Sequence, residues 1–506
     1  MNQRICGAIA TGALVCLLWF AGLHGLTTER PYEEALIRVA LMDGAKAFPP
    51  PDKIWCEHPP IAFIIFRLGK TVVGDNLTCL RLLCGGLFVA AFVAALMFAI
   101  RIPPTSVPAD LRARDPLVCL RVLCMFSAFV SPLMVVGGTR LGADGPTYLV
   151  LMLTLFAGSA FLRSYSYLTM AAFFGASLGL IYVHAYGLAI AVGLVVGLTT
   201  EAIFTTGFSH LRIIFLGGTI IASILWLDFA AVSTRFTLLK DHYWSIDTMI
   251  GNPPVPVAGL WPAVTELAAE SDALPAYLQI VSLIALVFLG LRGRDAAARF
   301  AALGCIGSLA CLTFASAGAS SRLVVPHWLG PIWLLGCCAF ARGASKGGLI
   351  ATGVSAALVV ALPGLVSCLL SSGDASGLIK QAAGSVSDFG VGADAIVFGG
   401  TRAYDLFVPE MGSMDVGRSF VFLRGGAFPD SFPGQKLIPP GHLLTAADWA
   451  RIDARRVVLI QLEAAQKVEI PTDDWLVERR VQFVYPAFTI GAIRVELVRR
   501  KDAQEN

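Results

Sequence analysis

Charge is what this sequence has little of. Only 14% of its 506 residues are Asp, Glu, Lys or Arg, against roughly a quarter in a soluble domain. With 56% hydrophobic residues and a mean hydropathy of +0.72, the chain carries more apolar sequence than one soluble core could bury. That excludes an ordinary soluble protein and points to a polytopic membrane protein. Blocks of like charge are also missing. A net charge of +3 and a pI near 8.2, with no basic run, give no footing for nucleic acid. The twelve cysteines include no CxxC pair and no zinc-like spacing. Most lie inside apolar runs, where a thiol behaves as a small hydrophobe. Cys56 and Cys79, which flank the first long loop, could bridge in an oxidising compartment.

What is present is a series of apolar runs of roughly 17–25 residues, the length that crosses about 30 Å of hydrocarbon. They fall at approximately 5–26, 79–100, 117–137, 146–162, 167–183, 187–206, 213–232, 276–291, 299–317, 323–341 and 348–370, about eleven transmembrane helices. The first run is too long for a signal-peptide core and no small-x-small cleavage site follows it, so it reads as a retained span. Arg4, Arg101, Arg112, Arg114, Arg163, Arg212, Arg292, Arg294, Arg299, Arg342 and Lys346 fall on one side of these spans. Arg140, Arg235, Lys240 and Arg322 fall in the short loops of the other. By the positive-inside rule the N-terminus is cytoplasmic, and the loop 27–78 and the C-terminal tail lie outside.

The expected fold is therefore a mainly α membrane protein. Residues 1–370 form a transmembrane domain and residues 371–506 a small extracytoplasmic α/β domain. In the tail, AIVFGG, SFVFL, RVVLIQL, VQFVY and IRVELV read as strands, and LLTAADWARIDA as a helix with Thr445 as its N-cap. The strand–helix alternation permits a partly parallel sheet. The tail has no nucleophile elbow, phosphate loop or metal spacing, which favours a structural or acceptor-recognising role. The first outer loop differs. YEEALIRVALMDGAKAF suits a helix lying in the membrane interface and ending at the prolines 49–51, and HPPIAFIIFRLGKTVVG a second, too short to span.

Ionisable residues gather at this outer level. Glu33 and Glu34 open the first interfacial helix. Either could act as a general base, and either could simply favour the helix dipole. Glu57 and His58 precede two prolines that fix a rigid turn; they are candidate substrate contacts or ligands of a divalent metal, although the ligand set is incomplete. Asp144 sits in a Gly-Ala-Asp-Gly-Pro turn between spans, beside Arg140. Turn chemistry alone explains the tripeptide, but an ionisable residue at membrane depth is a functional candidate. His184, Arg322 and His327 mark the outer ends of three further spans. An Arg at such a mouth suits phosphate.

The order of these motifs resembles that of the polytopic C-type glycosyltransferases that use polyprenyl-phosphate sugars, in particular bacterial relatives of protein mannosyltransferase and aminoarabinose transferase. The residues that carry the resemblance are Glu33-Glu34, then Glu57-His58-Pro59-Pro60, then IAFIIFRLGKTVVGDN, then Leu80-Arg81-Leu82. They continue with Gly142-Ala143-Asp144-Gly145-Pro146, GASLGLIYVHAYGLAIAVGLVVG and PHWLGPIWLL. It covers roughly residues 1–345 and is weak in the tail. Two departures stand out: the acidic pair is Glu-Glu where Asp is usual, and His184 stands where Lys is more usual. The resemblance implies sugar transfer at the outer face of a bacterial inner membrane. Glu33 or Glu34 would be the base and Asp144 its assistant. Arg140, His184, Arg322 and His327 would lie on the donor phosphate. Its partners would be a polyprenyl-phosphate-linked sugar, a lipid, glycan or protein acceptor, and membrane lipids. The alternative is a flippase or transporter of lipid-linked sugars. Such proteins usually show internal repeats and mid-membrane charges; this sequence has no repeat between its halves and few mid-span charges.

Overall fold

In the computed structural model, the described residues are 3–23, 60–74, 77–100, 118–131, 134, 141–184, 186–227, 283–284, 286–293, 295–315, 321–343, 375–391, 393–398, 407, 419–422, 449, 452, 454–462, 470–484 and 492–501. They divide into two compact units, one of helices up to residue 343 and one within residues 371–506.

The helical unit follows directly from the apolar runs. Its helices are α1 (Gln3–Leu23), α2 (Pro60–Val73), α3 (Leu77–Ile100), α4 (Val118–Phe129), α5 (Asp144–Ser164), α6 (Tyr167–Val183), α7 (Gly187–Thr206), α8 (Leu211–Leu227), α9 (Ala296–Ala315) and α10 (Ser321–Gly343). Among the described residues, three are long and apolar enough to cross a membrane: Cys79–Ile100, Asp144–Ser164 and Gly187–Thr206. The expected runs 167–183 and 187–206 coincide with α6 and α7. The expected run 348–370 and the first interfacial helix lie outside the described residues.

The second short helix of the first loop is α2. Pro60 occupies its first turn, where a missing N–H costs nothing. Ala62 and Phe66 are buried, whereas Ile64, Leu68 and Val72 form an exposed apolar row. A helix that packs one side on its neighbours and leaves an apolar row outward is built to meet lipid.

Close helix packing depends on small residues. A side chain at Gly193 or Gly197 of α7 would strike the backbone of Ser308 or Gly304 on α9, and one at Gly307 would strike Gly193. Inside a bilayer, where apolar burial drives little association, such backbone proximity supplies the dispersion contact that holds helices together. Phe88, Phe92, Phe129 and Tyr148 stack edge-to-face between α3, α4 and α5.

The second unit is a five-stranded sheet, ordered β2-β1-β3-β5-β4, with β1 (Ala395–Phe398), β2 (Ser419–Phe422), β3 (Arg456–Leu462), β4 (Trp475–Val484) and β5 (Ala492–Arg500). β1 runs parallel to β2 and β3, and β5 antiparallel to β3 and β4. Strand alternation sends Val457, Leu459 and Val498 to one face, against Trp449 and Trp475. Val458, Ile460, Val495 and Leu497 point the other way and are also buried. Helix α11 (Ala375–Gly390) packs on β3, β4 and β5 through Ile379, Ala382, Ala383, Val386 and Phe389. Its apolar spacing is that of a one-sided helix, but its glycines and serines hid it among loop sequence. β4 begins six residues before the expected VQFVY run. Its first half carries Glu478, Arg479 and Arg480, which read as loop in sequence. In the sheet Glu478 is held by Arg456 at 2.6 Å and Arg499 at 2.7 Å, and Arg480 pairs with the fully buried Glu496.

Candidate functional site

One end of the helical unit holds two of the candidate residues, Asp144 and His184. It is built from the start of α5, the turn between α6 and α7, and the start of α10.

Asp144 is the first residue of α5. Its turn is clamped onto α3: the Cys84 thiol donates to the Gly142 carbonyl at 3.4 Å, and a side chain at Gly145 would meet the Cys84 carbonyl oxygen. That close approach is why glycine follows the aspartate. The Thr147 hydroxyl donates to the Ala143 carbonyl at 2.7 Å and tightens the first turn. The carboxylate sits where the helix N-terminus favours negative charge. It is only 3% exposed.

His184 caps the C-terminus of α6. Its backbone N–H donates to the Leu180 carbonyl at 3.3 Å, and its own carbonyl accepts from the Gly187 N–H at 2.9 Å. The turn into α7 closes so tightly that a side chain at Gly187 would overlap the Leu180 carbonyl. His184 is 5% exposed. Its Nδ1 accepts the Tyr186 backbone N–H at 3.2 Å, and its Nε2 lies 3.9 Å from Asp144 Oδ1. The rings of His184 and Tyr186 are 5.2 Å apart. Two of the expected site residues, 40 positions apart in sequence, are thus brought together, both buried.

The start of α10 reaches the same end. A side chain at Gly330 would overlap the Tyr148 hydroxyl, and Cys338 Sγ lies 3.9 Å from Met152 Sδ. Since 148 faces 330 and 152 faces 338, α5 and α10 run parallel here. Residues 322 and 327 precede Gly330 on α10, and their side chains lie outside the described residues. Tyr148, one helical turn after Asp144 and fully buried, is a member of this end that the sequence reading missed. Its spacing of four residues from Asp144 was the available signal. Tyr186 was missed as well, because its contribution is a backbone N–H. Glu33, Glu34, Glu57, His58 and Arg140 lie outside the described residues. Among the described residues, no group of three or more His, Cys, Asp or Glu side chains could hold a metal ion.

The opposite end of the same helices is also ionic. Glu201 on α7 is fully buried and takes both arms of Arg299 on α9, at 3.0 Å from Nε and 2.5 Å from Nη2. Asp295 accepts the Ala297 N–H at 2.8 Å as it starts α9, and also binds Arg342 Nε at 3.1 Å. Arg342 Nη1 donates to the Phe98 carbonyl at 2.6 Å near the end of α3. These are helix-end clamps: Arg299 grips Glu201 with two donors, and Arg342 divides its donors between Asp295 and the Phe98 carbonyl.

The helical unit and the C-terminal sheet unit together make a fold seen before. Two solved structures share it: ArnT from Cupriavidus metallidurans bound to undecaprenyl phosphate, and the same protein in the apo state. They are 12% and 13% identical to this chain, each aligned over 97% of both chains with a TM-score of 0.57. At that identity the likeness is one of fold. No family model and no curated protein matches the chain.

Proposed function

We propose that this protein is a membrane glycosyltransferase that moves a sugar from a polyprenyl-phosphate donor to an acceptor at the periplasmic face of a bacterial inner membrane. The observation that carries the reading is the buried Asp144–His184 pair, 3.9 Å apart at one end of the helical unit, in a fold shared with a protein solved with undecaprenyl phosphate bound. The order of outer-loop motifs supports it independently. The transport alternative is not favoured by any feature of the helical unit.

The reaction is a single displacement. The acceptor oxygen or nitrogen forms a bond to the anomeric carbon as the bond from that carbon to the phosphate oxygen breaks, which inverts the centre. The acceptor proton passes to Glu33 or Glu34 as general base. Asp144 orients the acceptor. The electron pair of the broken bond leaves on polyprenyl phosphate. Arg140, Arg322 and His327 stabilise the charge that develops on the phosphate. Phosphate leaves readily, so no separate acid is required. Glu57 and His58 contact substrate or a divalent metal. In this reading residues 1–370 hold the chemistry and 371–506 form a periplasmic domain that meets the acceptor.

The test is transfer from undecaprenyl-phosphate-linked sugars by purified protein in detergent or nanodiscs. Glu33→Gln, Glu34→Gln and Asp144→Asn are compared at equal folded amounts. Loss of about 10²–10⁴ in turnover in one of the Glu variants identifies the base. Full transfer by both single variants and the double variant overturns that assignment. Movement of lipid-linked sugar across sealed vesicles without transfer overturns the enzyme reading.

A further inference from the structure

We propose that His184 is a neutral positioning residue that holds Asp144 through its Nε2–H, and is not a cation for the donor phosphate. The proposal rests on the glycosyl-transfer reading but concerns which proton His184 carries, which can be measured separately.

The hydrogen bond at Nδ1 carries the argument. Nδ1 accepts from the Tyr186 backbone N–H at 3.2 Å. An imidazole nitrogen that accepts bears no proton, and in imidazolium both nitrogens are donors. A charged His184 would set N–H against N–H, so this contact belongs to the neutral ring. The partner of one nitrogen decides where the proton sits, and here it sits on Nε2. That nitrogen is the one facing Asp144 Oδ1 at 3.9 Å. The separation exceeds a direct hydrogen bond, and a small rotation of either buried side chain closes it.

The turn is built to hold this arrangement. His184 is tied through its N–H to Leu180 and through its C=O to Gly187. Gly187 has no room for a side chain against the Leu180 carbonyl. The Asp144 turn is pinned to α3 through Cys84. Two rigid backbones therefore present one donor to one carboxylate, which is the geometry of an orienting contact.

Two measurements test this. In full-length protein in nanodiscs, with nitrogen-15 histidine, His184 is assigned among the seven histidines by difference from His184→Gln. The expected result at neutral pH is a protonated Nε2 and a bare Nδ1, with the Nε2 resonance moving in Asp144→Asn. Protonation of both nitrogens, or a proton on Nδ1 alone, overturns the proposal. The second measurement is turnover and undecaprenyl-phosphate affinity of His184→Gln, His184→Lys and His184→Ala. A Gln amide N–H reaches the position of Nε2, so His184→Gln should keep turnover close to that of the parent. His184→Lys and His184→Ala should each lose about 10–100-fold in turnover, the usual loss for an orienting partner, with affinity for undecaprenyl phosphate unchanged. A lysine variant that matches the parent while the glutamine variant fails restores the phosphate-cation role. If the parent transfers no sugar, the functional reading fails, and the nitrogen-15 spectrum still decides the proton position.

Discussion

The two ends of the helical unit solve the same problem in opposite ways. Both bury ionisable groups at the tips of packed helices. At the Arg299 end Glu201 meets Arg299 through two donors, and Asp295 meets Arg342 through one. At the Asp144 end the partners stand 3.9 Å apart and are held by backbone hydrogen bonds on either side. A closed pair uses up its donors and acceptors, which suits a clamp. A spaced pair on rigid supports keeps its geometry while leaving the contact adjustable, which suits a site. The two differ in the spacing of the partners, 3.9 Å at one end and 2.5–3.1 Å at the other.

The comparison breaks most sharply at Arg299. Arg299→Ala removes the partner of a fully buried carboxylate, so Glu201 is left uncompensated. A loss of about 3–5 kcal/mol in stability is expected, read as a large fall in thermal unfolding temperature in detergent. Turnover of the protein that remains folded should be unchanged. A variant with normal stability and reduced transfer would move the site to this end and undo the contrast.

How much of this could be read in the sequence depends on the scale of the interaction. The limits of α6 and α7 match the apolar runs because the His-Ala-Tyr-Gly break between them is a local signal. β3 matches too, since five of its seven residues are apolar and Val457, Val458, Leu459 and Ile460 are buried in an unbroken run. The Asp144 and His184 levels followed from span order alone. Their contact did not, because it depends on how tightly Gly187 lets α7 turn back on α6. Glu201 lies within an apolar run, and Arg299 is 98 residues away; nothing local links them. Arg299 and Arg342 were read as orienting cations on one side of the membrane, and the fold adds structural partners to each. In the sheet unit, the charged half of β4 was invisible for a related reason: Glu478, Arg480 and Glu496 are satisfied only across strands.

A second way to sharpen the contrast is at Gly187. Gly187→Ala puts a methyl group against the Leu180 carbonyl. Forcing a side chain into occupied space costs about 1–3 kcal/mol, so a moderate stability loss is expected. Here, unlike at Arg299, turnover should fall as well, because the backbone that carries His184 must shift. Transfer that stays at the parent level while stability drops would show that the turn has slack and that the pair needs no fixed spacing.

The smallest effect is expected back at the clamp end, at Ser166. Its hydroxyl oxygen accepts the Thr169 N–H at 3.2 Å and caps the start of α6. Ser166→Ala leaves that N–H without its cap, at a cost of about 1 kcal/mol. α6 joins the two ends of the unit, with Ser166 preceding its first turn and His184 following its last. If the ends are independent, fraying at the first turn lowers the unfolding temperature slightly and leaves turnover and the His184 nitrogen-15 spectrum unchanged. If α6 transmits the change, the Nε2 resonance of His184 moves although the substitution lies 18 residues away. A moved resonance would mean that the clamp sets the site geometry through the helix, and that the two ends form one device.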